Sequence, residues 1–257
     1  MTGMQDSTPL VGRVAIVTGG ASGIGRATAL RLSRGGARVV VADLDEEGGT
    51  QTAHAIGTAG GDASFHRVDV SSHEQLEALV AHAVASFGGL DIMFNNAGIA
   101  VGGPLLDFSP AQYERLIAVN QHSVFYGIQA AGRAMRDSGR GGVIINTGSV
   151  FGRLASRYCV GYLASKAAVE VMTKGAALEL APYRIRVVNV APGVVETPMV
   201  DDYRRVGVLD AMAKKHMRGV LVQAEAVAEI VAFLASDAAS VVNGTTVFAD
   251  DGYSSFK

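Results

Sequence analysis

Tyr162 and Lys166 stand four residues apart in a stretch that reads as a helix, so both side chains project from one helical face. A phenol titrates near pH 10, too high to exchange a proton readily at neutral pH. A neighbouring ammonium stabilises phenolate and lowers that value, so the pair can serve as an acid or base. Each unit of lowering corresponds to about 1.4 kcal/mol of differential interaction. Taken alone, the same spacing also describes an ordinary contact on a helix surface. A second chemical feature lies near the other end of the chain. Thr18-Gly19-Gly20-Ala21-Ser22-Gly23-Ile24-Gly25 follows a β-branched run and opens a helix. Glycines let the backbone turn tightly and come close to a pyrophosphate, which the amides and positive end of the helix favour. The spacing is TGxxxGxG rather than GxGxxG, and such a turn also serves simply to pack a strand on a helix.

The next apolar run ends in Asp43, 18 residues past Gly25. An acid there can accept hydrogen bonds from both ribose hydroxyls of an adenosine and repel a 2′-phosphate. The alternative is that it caps the following helix. No Lys or Arg lies within residues 18–25 or in the five residues after Asp43. The pattern therefore points to NAD rather than NADP.

These residues need a scaffold that brings distant strand ends together. Short β-branched runs alternate with longer amphipathic stretches along the whole chain, as in a parallel sheet covered by helices. Strands are expected at 13–18, 38–43, 64–68, 90–94, 143–147, 186–190 and 245–248. Helices are expected at 23–34, 46–57, 72–87, 110–138, 157–180 and 224–236. The pattern predicts an α/β, doubly wound Rossmann fold with a seven-stranded parallel sheet. Residues 11–257 read as one domain and residues 1–10 as a disordered leader. Residues 193–219 form a long connection, expected to be a substrate lid with a short helix at 210–217. Tyr113, Ile117, Asn120, Val124, Ile128 and Ala131 recur at helical spacing, which sets the Asn120 amide in an apolar stripe where it must find partners.

In order along the chain come the glycine turn, Asp69-Val70, Asn95-Asn96-Ala97-Gly98, Asn120, Ser149, Tyr162-Leu163-Ala164-Ser165-Lys166 and Pro192-Gly193. With these motifs the chain resembles the short-chain dehydrogenase/reductase family, from about Gly12 to Tyr253. The resemblance implies an NAD-dependent oxidoreductase that moves a hydride between nicotinamide and a secondary alcohol or ketone. It implies a catalytic set of Asn120, Ser149, Tyr162 and Lys166. Ser149, thirteen residues before Tyr162, would hydrogen-bond the reacting oxygen, and Asn120 would link Lys166 through water to solvent. By the same resemblance the cofactor meets Gly19, Ser22, Gly23, Ile24 and Gly25 in the turn, with Asp43 and Leu44 at the ribose. Asp69 and Val70 would border the adenine, followed by Asn96, Ala97 and Gly98. Tyr162, Lys166, Pro192, Gly193, Val195 and Thr197 complete the set, the last two near the carboxamide. A homotetramer or homodimer is implied as well. Asp250-Asp251-Gly252 departs from the family's usual Asp-Gly-Gly. A 3-oxoacyl reductase and a non-catalytic dinucleotide-binding protein are the alternative readings.

Composition excludes several other classes. A net charge of −2 over 257 residues offers no electrostatic case for a nucleic-acid partner. No apolar run reaches the roughly 18–20 residues of a membrane helix. One cysteine, Cys159, rules out an internal disulfide and fits a reducing, cytoplasmic setting. The six histidines form no ligand-spaced set, so no metal is expected. The small-molecule pocket is expected from 100–105, 150–161 and 194–219, with Val150, Phe151, Leu154, Val160 and Met199 as apolar lining. Arg153, Arg157, Asp201, Asp202, Arg204 and Arg205 either face solvent or meet a polar group of the substrate.

Overall fold

The computed structural model describes residues 10–255. The chain opens with β1 (Val14–Thr18), α1 (Gly23–Arg34), β2 (Arg38–Asp43), α2 (Glu46–Thr58), β3 (Ala63–Arg67) and α3 (His73–Phe87). After β4 (Ile92–Asn95), α4 (Pro110–Ile117) and α5 (Ser123–Ser138) come β5 (Gly142–Thr147), α6 (Val160–Leu180) and β6 (Ile185–Pro192). The lid region holds β7 (Val195–Glu196), α7 (Asp201–Arg205) and α8 (Leu209–Ala213), followed by β8 (Val222–Gln223), α9 (Ala224–Ala235) and β9 (Thr246–Ala249).

Seven strands form one sheet in the order β3-β2-β1-β4-β5-β6-β9, every pair parallel. The Val-Ala-Ile-Val-Thr run of β1 explains itself in this position. Ala15 and Val17 enter the core beneath α1 and α9, whereas Val14 and Ile16 enter the core beneath α3, α5 and α6. A strand buried on both faces must be apolar throughout rather than alternating. The order reverses between β1 and β4, and a crevice opens there at the carboxyl ends of the strands.

Several boundaries differ from the sequence expectation, each for a local reason. The expected helix 110–138 is interrupted by a π-helical turn at Ala118–His122, the segment that contains Asn120. Such turns insert an extra residue into a helix and often mark functional positions. The expected helix 157–180 starts only at Val160, because Tyr158 adopts φ 65°, which a right-handed helix does not allow. The expected helix 210–217 is the shorter α8; beyond it, the amides of Met217 and Arg218 bond to Asp251 instead. The expected leader reaches residues 1–9, which lie outside the described part. Leu10, assigned to that leader, is 1% exposed and donates its amide to the Gly35 carbonyl. The pairing of β7 with β8, Val195 opposite Val222, was not expected from sequence.

Candidate active site

The carboxyl ends of β1, β2, β4, β5 and β6 and the 193–219 connection enclose a cavity of about 550 Å³. At its first wall, Gly19 (φ +67°) and Gly23 (φ +50°) take left-handed conformations that favour glycine. Ser22 is the N-cap of α1 but makes no side-chain cap, and the first turn holds no acid, so its amides face the cavity without an internal anion. Gly25 does not line the cavity. A Cβ there would lie 1.9 Å from the Gly19 carbonyl oxygen, so this glycine lets α1 close against the turn.

Thr18 stitches the turn to the next strand end. Its hydroxyl donates to Phe94 O and accepts from the amides of Asn96 and Ala97, while Asn96 Nδ2 donates to Thr18 O at 3.0 Å. Asp43 accepts from the amides of Ala21 and Asp45 at 3.0 and 3.1 Å. The cap of α2 is Asp45, which accepts from Gly48 N, so Asp43 is not the helix cap. Asp69 accepts from the amide and hydroxyl of Ser71, and with Val70 it borders the same wall.

The far wall carries the acid/base candidates. Lys166 is 4% exposed and donates from Nζ to Thr147 O at 2.8 Å, which ties α6 to the end of β5. Its Nζ sits 5.7 Å from the Tyr162 ring centroid. Ser149 Oγ accepts from Phe151 N at 3.1 Å, so its own proton remains available for donation. The Tyr162 phenol opens onto the cleft, yet desolvation pushes it up to about 12, against the lowering effect of its bond to Ser149. Tyr203 and Cys159 add to the rise. Burial likewise pushes Lys166 down to about 8. The sequence expectation was a lowering of the phenol by Lys166; the largest effect in the structure is desolvation, which raises it.

Asn120 is buried and does not line the cavity itself. Its amide donates to Ile99 O at 2.9 Å and accepts from Ile99 N at 2.8 Å, with Ser165 Oγ at 3.4 Å. A Cβ on Gly98 would lie 3.3 Å from Asn120 Oδ1 and 3.7 Å from Lys166 Nζ, so amide and ammonium both approach that glycine.

Every other sequence-assigned residue lines the cavity: Gly19, Ser22, Gly23, Ile24, Asp43, Leu44, Asp69, Val70, Asn96, Ala97, Gly98, Ser149, Tyr162, Lys166, Pro192, Gly193, Val195 and Thr197. Between the ends of β2 and β5 lie three inter-strand steps of about 4.8 Å, roughly 14 Å in all. That span, with an acid at one end and free helix amides between, fits an extended dinucleotide.

Of the expected apolar lining, Phe151 and Met199 take part, whereas Val150 is in the core, Val160 faces outward and Leu154 packs beside Val150. Val101, Val200, Tyr203, Val208, Met212 and Tyr253 are among the further lining residues. Tyr253 carried no local signal, since it arrives from the far C-terminal end. Among the flagged charges, Arg153 pairs with Glu170 and stacks on Phe248, Arg204 pairs with Glu196, and Arg205 with Asp202. Arg157 lines the cavity. No group of three or more His, Cys, Asp or Glu suited to a metal occurs among the described residues.

A doubly wound sheet with a large cleft at its switch point places the protein in the Rossmann-type nucleotide-binding class. Residues 19–254 match the family model described as enoyl-(acyl carrier protein) reductase. The sequence is 38% identical over 244 residues to cyclohexanol dehydrogenase of Acinetobacter sp. (strain SE19), covering 95% of each chain. It is 41% identical over 242 residues to cis-4-hydroxycyclohexanecarboxylate dehydrogenase of Sinomonas cyclohexanicum, covering 94% of this chain and 96% of that one. A solved short-chain type dehydrogenase/reductase from Mycobacterium marinum superposes with a TM-score of 0.94 at 34% identity, covering 98% and 99% of the two chains. The chain belongs to the short-chain dehydrogenase/reductase family, oxidoreductases that use nicotinamide cofactors.

Proposed function

We propose that the protein interconverts an alicyclic secondary alcohol and its ketone, with NAD as the hydride carrier. The observation that carries this reading is the meeting of Ser149, Tyr162 and Lys166 at one end of a cleft whose other end holds Asp43. A bound nicotinamide supplies the hydride acceptor or donor. Ser149 donates to the substrate oxygen and fixes its position. Tyr162 passes the hydroxyl proton, and Lys166, Asn120 and solvent form the path by which that proton leaves. The turn residues and Asp43 hold the cofactor, with Val195 and Thr197 at its carboxamide. The alicyclic ring is favoured by the apolar lining of Phe151, Met199, Val208 and Met212, and by relatives named for cyclohexanol and a hydroxycyclohexane acid.

The test is a panel of cyclohexanol, cyclopentanol, linear secondary alcohols, the matching ketones and a 3-oxoacyl thioester. Each is assayed with NAD(H) and NADP(H) at the reduced-nicotinamide absorbance band. Turnover of cyclic alcohols with NAD⁺ supports the reading; turnover of the thioester alone replaces it with a 3-oxoacyl reductase.

NAD over NADP rests on Asp43. The cations lining the cavity are Arg115, Arg157, Lys166 and Lys215, none of them from the glycine turn or the end of β2. Replacing Asp43 by Ala and Leu44 by Arg is expected to lower kcat/KM for NAD⁺ by about tenfold and raise it for NADP⁺ by a similar factor. Unchanged NAD⁺ preference in that variant removes Asp43 from the ribose site.

The exposed Phe125 on α5 and Val171 and Leu178 on α6 support a homotetramer or homodimer packed through these helices. Residues 11–257 are read as one domain and the setting as cytoplasmic, in keeping with a lone free thiol. No described helix is long and apolar enough to cross a membrane.

A further inference from the structure

His216 is 1% exposed and lies in the segment that closes the cleft, between the exposed Lys215 and Met217. Its Nε2 accepts the amide of Val194 at 3.2 Å, and Nδ1 meets the Ala213 carbonyl at 3.2 Å. An amide can only donate, so Nε2 is the unprotonated nitrogen, Nδ1 carries the hydrogen, and the imidazole is neutral. The ring packs edge-on against Tyr253 at 5.0 Å, and Tyr253 in turn packs against Phe151 at 5.9 Å. A Cβ on Gly193 would lie 2.6 Å from Nε2, so the imidazole occupies the space that a side chain at 193 would need.

The Gly193–Val194 backbone is otherwise held by Gly193 N on Ala249 O and by Val222 N on Val194 O. His216 supplies the partner for the remaining buried amide. The neighbouring acids are engaged elsewhere: Asp250 accepts from Gly252 and Ser254, and Asp251 from Arg218.

We propose that neutral His216 is a positioning residue for the cofactor. It fixes the Gly193–Val194 backbone, and through it Val195 and Thr197, at the nicotinamide end of the cleft. The proposal rests on the reading of that segment as the nicotinamide wall. It is tested by titrating wild type, His216→Leu and His216→Gln with NADH, following nicotinamide fluorescence, with thermal melting of each and the split of kcat from KM for NAD⁺. Leucine fills similar space with no acceptor, whereas the glutamine amide oxygen reaches about where Nε2 lies. Leucine is expected to raise the NADH Kd and the KM for NAD⁺ about tenfold, and glutamine to recover most of that loss. Wild-type affinity in His216→Leu, or a glutamine variant no better than leucine, overturns the proposal. A wild-type protein that does not bind NADH overturns the cofactor reading itself.

Discussion

Tyr162→Phe is expected to lower kcat by about a thousandfold while leaving NADH binding measurable. The substitution keeps the ring beside which Lys166 lies and removes only the oxygen bonded to Ser149. With the phenol pushed up to about 12, Tyr162 is protonated throughout the neutral range, the correct state for giving a proton to a nascent alkoxide. The loss should therefore appear in kcat rather than in cofactor binding. Steady-state rates for ketone reduction, paired with NADH titration, check both parts. A phenylalanine variant that retains full activity would refute Tyr162 as the acid/base.

Lys166→Met carries the second large effect, and its sign is opposite for activity and stability. Turnover is expected to fall by about a hundredfold or more, since the ammonium beside the phenol and the path for its proton are both lost. The protein without added cofactor, by contrast, should become more stable at pH 7. A lysine at about 8 in the folded chain and 10.5 in the unfolded chain means that folding disfavours its protonated form. The unfolded state binds more protons between those values, so stability rises with pH across that window and the full cost applies below pH 8. The difference corresponds to about 3 kcal/mol, offset by about 1 kcal/mol for the lost bond to Thr147 O. A net gain of about 2 kcal/mol, or about 5 °C in Tm, is expected at pH 7. The gain should vanish by pH 10.5. Above pH 10 both proteins should lose stability together, because Tyr162 titrates at about 12 folded and 10 unfolded. Thermal melts at pH 7 and pH 10 decide the matter, and a methionine variant less stable at pH 7 would show that the lysine does not bear this cost.

The stability gain and the activity loss have one cause. An ammonium buried at the carboxyl end of β5 meets a backbone carbonyl. Folding alone would favour an apolar side chain there. Asn120 is a milder case: an amide in an apolar stripe, satisfied by the backbone of Ile99 and the hydroxyl of Ser165. Buried polar groups with complete hydrogen bonding of this kind hold positions that apolar packing leaves free to slide.

Strand and helix positions were legible because both sheet faces are buried, which turns β1 and β2 into continuous apolar runs bounded by glycine or acid. The glycine turn was legible for a steric reason, although its members do different things. Gly19 and Gly23 need positive φ, while Gly25 serves packing alone. The departure at Asp251 also has a structural answer: it takes φ 45° and bonds the amide and guanidinium of Arg218. Aspartate tolerates that region better than most residues.

The sequence by itself determined the winding of the sheet, the helical face shared by Tyr162 and Lys166 and the acid at the end of β2. Spacing within single elements and their order along the chain carry all of these. Only the tertiary structure decided that Asp45 rather than Asp43 caps α2, that Asn120 sits in a π turn and that the Tyr162 phenol is desolvated. It also brought Tyr253 and His216 to the cleft. The physical reason is that burial and long-range hydrogen bonds depend on which distant segments meet, and no local period records that meeting.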